Sequence, residues 1–294
     1  MQNPVPKVIY AKQIATSIFW GGMYVAGRVV AEHMPAFSAG TLRFLFAGLL
    51  LFILWFRSPH NTLPKGKEWI SLVFLALSGT FLYNFLFFNG MQTVSAARAA
   101  VIVTTNPIFT ALLARIFYKE ALPPIKIAGI TIASLGVLVV ITRGAPLTIF
   151  DSALSHGDII LFCAALSWSV YSMSNKLVCG LSAVTTITFT CIFGFLMITP
   201  FAIHEGLLSH IGEYPWQAWA AILYISVCCT VMSFVWFNQG IIYLGAQRAS
   251  LFINLVPVFT VFMGAALLGE PVTPAILGGV FIVCVGVFLA NRRA

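Results

Sequence analysis

Ten times along its 294 residues the chain passes through a predominantly apolar run of eighteen residues or more, and only short polar breaks separate the runs. A helix rises 1.5 Å per residue, so about twenty apolar residues cover the roughly 30 Å hydrocarbon core of a bilayer. The runs fall at roughly 12–31, 39–56, 69–90, 96–117, 125–142, 157–178, 184–203, 216–241, 249–268 and 274–291. Charged residues make up 8% of the chain and hydrophobic ones 60%. An ordinary soluble domain carries about 25% charge, and a water-facing surface cannot be built from the polar residues present. The pattern predicts an all-α integral membrane protein with ten transmembrane helices and no separate soluble domain.

The basic balance does not point to nucleic acid, because the charges sit between the runs. With both termini in the cytoplasm, twelve of the sixteen Lys and Arg fall on the cytoplasmic side. Arg28, Arg43, Arg98 and Arg143 lie on or toward the other side. The excess of Lys and Arg in cytoplasmic loops sets orientation, so both termini are expected inside. Lys7 and Lys12 precede the first run as in a secretory signal, but that run continues through Trp20 and Tyr24 to Arg28 without a small-x-small cleavage site. It is therefore expected to be a retained first helix. All six cysteines fall within or at the edge of apolar runs without metal-ligand or disulfide-scaffold spacing, and read as small buried hydrophobes.

The chain repeats itself. Pairing each residue from Ala96 to Val137 with the one 150 positions later gives twelve identities in forty-two positions, without gaps. They include Arg98/Arg248, Pro107/Pro257, Glu120/Glu270, Pro124/Pro274, Gly129/Gly279 and Gly136/Gly286. Gly90 matches Gly240 at the same offset, and at an offset of 148 Trp20 pairs with Trp168. Each half then holds five helices, spanning residues 1–143 and 157–294. Five is odd, so the halves enter the membrane from opposite sides. Such inverted repeats build a site near the midplane that opens alternately to either face.

These residues carry a resemblance. The sequence resembles the drug/metabolite transporter superfamily, specifically its EamA-type branch of ten-helix exporters, over nearly the whole chain. The first half shows Trp20-Gly21, Arg43-Phe44, the Ala-Ala-Arg-Ala run around Arg98, Pro107-Ile108-Phe109-Thr110, Glu120, Gly129 and Gly136. The second half answers with Arg248, Pro257-Val258-Phe259, Glu270, Gly279 and Gly286. The family often carries a small polar residue and an Asn after the Trp-Gly, where this chain has Gly22 and Met23. The resemblance implies a basket of helices around a central cavity, exporting amino acids or other small metabolites.

The candidate site residues are aromatic and polar side chains inside the spans. Trp20, Tyr24 and Arg28 share a helical face at i, i+4 and i+8, a wall of rings ending in a cation that suits a carboxylate-bearing ligand. Alternatively, the rings are packing aromatics and Arg28 snorkels outward. The related sixth helix presents Trp168, Tyr171 and Asn175 on one face. Tyr83, Asn84, Asn106, Trp236, Gln239 and Asn254 add polar groups that must face protein or water, as ligand contacts or as bonds between helices. Pro107 and Pro257 are placed mid-helix, where each would kink its helix as a hinge or as a static bend. Glu120 and Glu270 stand just before helix starts at Pro124 and Pro274 and suit helix capping.

No Gly-rich phosphate loop, nucleophile elbow or His/Asp/Glu cluster with ligand spacing is present, so neither enzyme activity nor a metal or cofactor is expected. A lipid-modifying enzyme would need a charged catalytic cluster at one interface. A broad drug or organic-cation exporter would need a mid-membrane carboxylate. The chain shows neither. The expectation is a bacterial inner-membrane exporter of amino acids or related compounds, working by alternating access as a monomer or homodimer. The dearth of carboxylates in the spans favours facilitated diffusion over proton antiport.

Overall fold

The computed structural model describes residues 6–58, 61–119, 123–142, 144, 154–178, 180–244, 249, 252–253 and 255–290. Among these residues no strand occurs, and ten principal helices account for the architecture. They are α1 (Lys7–His33), α2 (Ala36–Arg57), α3 (Lys67–Met91), α4 (Ala96–Tyr118), α5 (Pro124–Ile141), α6 (His156–Ser174), α7 (Ala183–His204), α8 (Trp216–Leu244), α9 (Val256–Leu268) and α10 (Pro274–Ala290). The first eight are long and apolar enough to cross a membrane, and α9 and α10 are shorter apolar helices. Large apolar side chains stand outward, among them Phe52 and Phe56 on α2, Ile70 on α3, Phe262 on α9 and Phe281 on α10. In water such a surface would aggregate; against lipid it is the expected exterior of a multi-pass membrane protein.

Helix starts are fixed by short polar residues. Ser95 accepts from the Arg98 amide, Ser182 from the Thr185 amide, and Ser155 forms a reciprocal capping box with Asp158. Glu270 reaches beyond its own helix. Its carboxylate accepts from the amides of Ala96 (2.7 Å) and Ala97 (3.1 Å), placing an anion at the positive end of α4. Glu120, its repeat mate, lies outside the described residues.

The two halves pack through matched contacts. Helix α5 lies against α10, α2 against α7, α3 against α6, and α8 against α1. The glycines of the repeat occupy the closest approaches. A Cβ on Gly136 would come within 2.7 Å of the Val283 amide, and one on Gly286 within 2.7 Å of the Gly129 carbonyl, so only hydrogen lets α5 and α10 meet. Gly90 on α3 faces Leu161 on α6, while its mate Gly240 on α8 faces Gln13 on α1. Gln13 and Leu161 occupy equivalent places in the two halves, so the same glycine contact is made twice with different partners.

Two local features depart from the sequence reading. Pro107 and Pro257 do not lie mid-helix. Helix α4 breaks at Thr104-Thr105, and Pro107 sits in the first turn of its second segment, Asn106–Tyr118; Pro257 sits likewise in the first turn of α9. At that position the missing amide would have had no helical partner. Around the α4 break Thr104 Oγ1 donates to the Ala100 carbonyl and Thr105 Oγ1 to that of Ile102, each at 2.6 Å. The proline therefore begins a helix after a break instead of bending a continuous one. Secondly, α3 and α8 each widen to a π-helical stretch at matching places, Ala76–Leu82 and Ile225–Met232. Nothing in the apolar periodicity announced either. Such stretches cluster at functional sites because they displace side chains from the regular helical face.

Candidate functional site

A cavity of about 290 Å³ lies between the halves, at the level of the α4 break and the two π stretches. Trp20, Met23 and Tyr24 of α1 form one wall, and Trp168 and Ser172 of α6 another. Arg43, Tyr83, Thr104, Asn106, Cys229, Phe234 and Phe237 complete the polar and aromatic lining. This volume is at the small end of ligand pockets, about 300–1,000 Å³, so it suits one small metabolite better than a drug-sized molecule.

The aromatic walls are held in place by named contacts. Trp20 Nε1 donates to the carbonyl of Cys229 at 3.0 Å, and its ring lies 5.3 Å from Phe237 and 5.9 Å from Phe234. Trp168 sits 5.0 Å from Tyr83, 4.9 Å from Tyr171 and 6.4 Å from Phe234. Phe234 thus touches both tryptophans and joins the two repeat-related walls. Tyr24 packs on Phe87, whose ring also stacks on Tyr83. Gly79, in the π stretch of α3, makes room for the Tyr171 ring. Gly22, where the family often has a polar residue, makes room for the hydroxyl of Tyr224, which donates to the Phe19 carbonyl at 3.1 Å.

Arg43, which the sequence marked only as part of a motif, is the polar centre of this region. It is 5% exposed. Its Nη1 donates to Asn84 Oδ1 at 2.6 Å and its Nη2 to Thr230 Oγ1 at 3.1 Å, while Met23 Sδ lies 3.9 Å away. Asn84 is held in turn by donating to the Thr80 carbonyl. Among the described residues no carboxylate pairs with Arg43. A charge within a membrane-spanning helix costs up to roughly 3 kcal/mol even on lenient insertion scales, so its presence calls for a purpose. Asn106 adds a second polar feature, for its Oδ1 is buried and accepts no hydrogen bond.

The remaining candidates lie elsewhere. Tyr171 and Asn84 border a small adjoining cavity of about 30 Å³, and Asn175 donates to the Tyr171 carbonyl. Trp236 stacks on Phe19, and Gln239 accepts from Lys12 at 2.8 Å, neither within the central lining. Arg28 is not at the cavity. It pairs with Glu32 at 3.0 Å and donates to the carbonyls of Met91 and Gln92, beside a separate pocket of about 560 Å³. Arg98 and Glu270 line that same pocket, and Arg98 is ion-paired with the fully buried Asp158. Asn254 lies outside the described residues. The signal that could have singled out Arg43 was in the sequence: no carboxylate stands in the spans except Asp158, at the very start of its helix.

Apolar helices in two repeated halves, eight of them long enough to cross a membrane, closing around an aromatic cavity with a buried cation, define a multi-pass membrane transporter. The chain belongs to the EamA-like transporter family, whose sequence pattern matches residues 7–142 and again 155–292, and hence to the drug/metabolite transporter superfamily. It is 32% identical to the uncharacterized transporter YyaM of Bacillus subtilis, covering 96% of this chain and 93% of the relative. An uncharacterized transporter of Archaeoglobus fulgidus is 28% identical, with 95% of each chain covered. A probable terminal-alkyne amino-acid exporter of Streptantibioticus cattleyicolor is 23% identical over 95% of this chain and 92% of that one. One solved crystal structure superposes with a TM-score of 0.66 at 16% identity, covering 97% of this chain and 96% of that one, a likeness of fold.

Proposed function

We propose that the protein exports amino acids or closely related small metabolites across a bacterial inner membrane, with both termini in the cytoplasm. The observation that carries this reading is the central cavity, walled by Trp20 and Trp168 from repeat-related helices and at the small end of ligand-pocket volumes. Aromatic faces shield the apolar body of a ligand and attract an ammonium group. Because equivalent walls come from both halves, a rocking motion of one half against the other would expose the same site to either side in turn. The α4 break before Pro107 and the start of α9 at Pro257 are proposed as the hinges. The likeness to a relative named as an amino-acid exporter supports the substrate class. Exchange of labelled substrate in proteoliposomes loaded with each of the common amino acids tests the reading. Exchange of at least one is expected, and its absence throughout would remove the amino-acid assignment.

A further inference from the structure

Among the described residues, every carboxylate whose contacts are defined is engaged at a helix end or in a loop. Glu32 pairs with Arg28, Glu205 accepts from the Phe37 and Ser38 amides, Glu213 meets His210, Glu270 caps α4, and Asp158 holds Arg98. Arg43, by contrast, is a cation set deep in the bundle whose partners, Asn84, Thr230 and Met23, are all neutral. Arg43 is among the residues that line the central cavity. On the same cavity wall lining stands Asn106, whose buried Oδ1 lacks a donor. The bundle therefore contains a cation that pairs with no described carboxylate and an acceptor lacking a donor, on two residues that line one small space walled by aromatic rings.

We propose that Arg43 is the anion anchor of the transported molecule and that the cavity selects small zwitterions, with the carboxylate on Arg43 and the amino group on Asn106 Oδ1. A guanidinium presents its donors in a planar fork that matches a carboxylate. The second half offers no equivalent. Aligned on their first residues, Ala36 and Ala183, the two 22-residue helices α2 and α7 place Thr190 where α2 has Arg43. Thr190 meets Thr80 there through its carbonyl, as Arg43 meets Thr230. Among the described residues the cavity is lined by one cation, which suits a monocarboxylate and disfavours a dicarboxylate. The inference rests on the proposal that the central cavity is the transport site.

The test uses the purified 294-residue chain, by thermal shift and by exchange in proteoliposomes. The probes are the common amino acids, their carboxamides, and the matching carboxylic acids that lack the amino group. Wild type is expected to favour acid over carboxamide by about tenfold to a hundredfold, the worth of a charge-assisted hydrogen bond. In Arg43→Met that preference should fall to near one, while the ligand-free protein melts higher than wild type because an uncompensated buried charge has gone. Arg43→Lys, which keeps the charge without the fork, should retain part of the preference, and it carries the readout if Arg43→Met does not fold. Asn106→Leu should weaken amino acids relative to their deaminated acids. An unchanged acid preference in the Arg43 variants overturns the anchor while leaving amino-acid transport standing. Arg43-dependent transport of deaminated acids alone keeps the anchor and removes the amino-acid reading. Wild type that handles no carboxylate in the panel overturns both.

Discussion

The Glu270 carboxylate lies 2.7 Å from the Ala96 amide, so the loop before α10 supplies the anion for the first turn of α4, 174 residues earlier in the chain. The bond ties the last helix pair of the second half to the broken helix that borders the cavity. Glu270→Gln keeps the shape but removes the charge from two amide contacts and from the helix dipole. It should lower stability by about 1 kcal/mol, read as a lower melting temperature of the purified protein. An unchanged melting temperature would show that these contacts contribute nothing net.

Asp158 is fully buried and accepts from Arg98, Ser155 and the Ser155 amide. Asp158→Asn removes the buried charge that the Arg98 guanidinium meets. Removing one partner of a buried pair costs about 3 kcal/mol or more. The variant should show a large loss of folded, monodisperse protein, while Glu213→Gln, in an exposed pair with His210, should be silent in the same size-exclusion assay.

The crossing of α5 and α10 gives a sharper steric test. Gly136→Val or Gly286→Val would drive a side chain into the facing backbone, and either should destabilise by about 2 kcal/mol. Gly278→Ala, on the same helix as Gly286 but with no atom within 4 Å of the added Cβ, should melt like wild type. Equal tolerance at all three positions would contradict the close approach.

Trp20→Ala and Trp168→Ala remove repeat-related walls of the cavity. A ring buried against a ligand contributes roughly 1–3 kcal/mol, so transport efficiency should drop about tenfold or more. Trp20→Phe keeps a ring but loses the bond to the Cys229 carbonyl, and separates ring burial from hydrogen bonding. Normal transport with reduced melting temperature in both alanine variants would mark the rings as packing alone.

Orientation is tested with single cysteines placed at Lys65 and Gly212, both exposed, in a background lacking the natural cysteines. A membrane-impermeant thiol reagent applied to intact cells should label the Gly212 position and spare Lys65. The reverse pattern would place the termini outside.

Much of the architecture was legible because the bilayer imposes a length and a polarity on every crossing segment. The apolar runs and the repeat of Pro, Gly and Glu at a fixed offset disclosed an all-helical membrane protein in two related halves. Trp20, Tyr24, Tyr83, Asn106 and Trp168 were recognisable as candidates for the same physical reason: polar and aromatic groups in an apolar run seek protein or water. The repeated glycines were visible too, but their partners were not, for Gly90 meets Leu161 and Gly240 meets Gln13 only through folding.

Tertiary structure decided where the charges are used. By helical spacing Arg28 belonged with Trp20 and Tyr24, yet Glu32, one turn further on, and two carbonyls at the end of α3 draw it away. Arg43 looked like one motif residue among several until α2 packed against α3 and α8 and closed it among Asn84, Thr230 and Met23. The π stretches, the break before Pro107 and the helix start at Pro257 belong to the same category. Sequence specifies which side chains a helix offers to its neighbours. Whether a buried charge finds its counter-ion within the protein depends on contacts between segments far apart in the chain, and these exist only in the packed bundle.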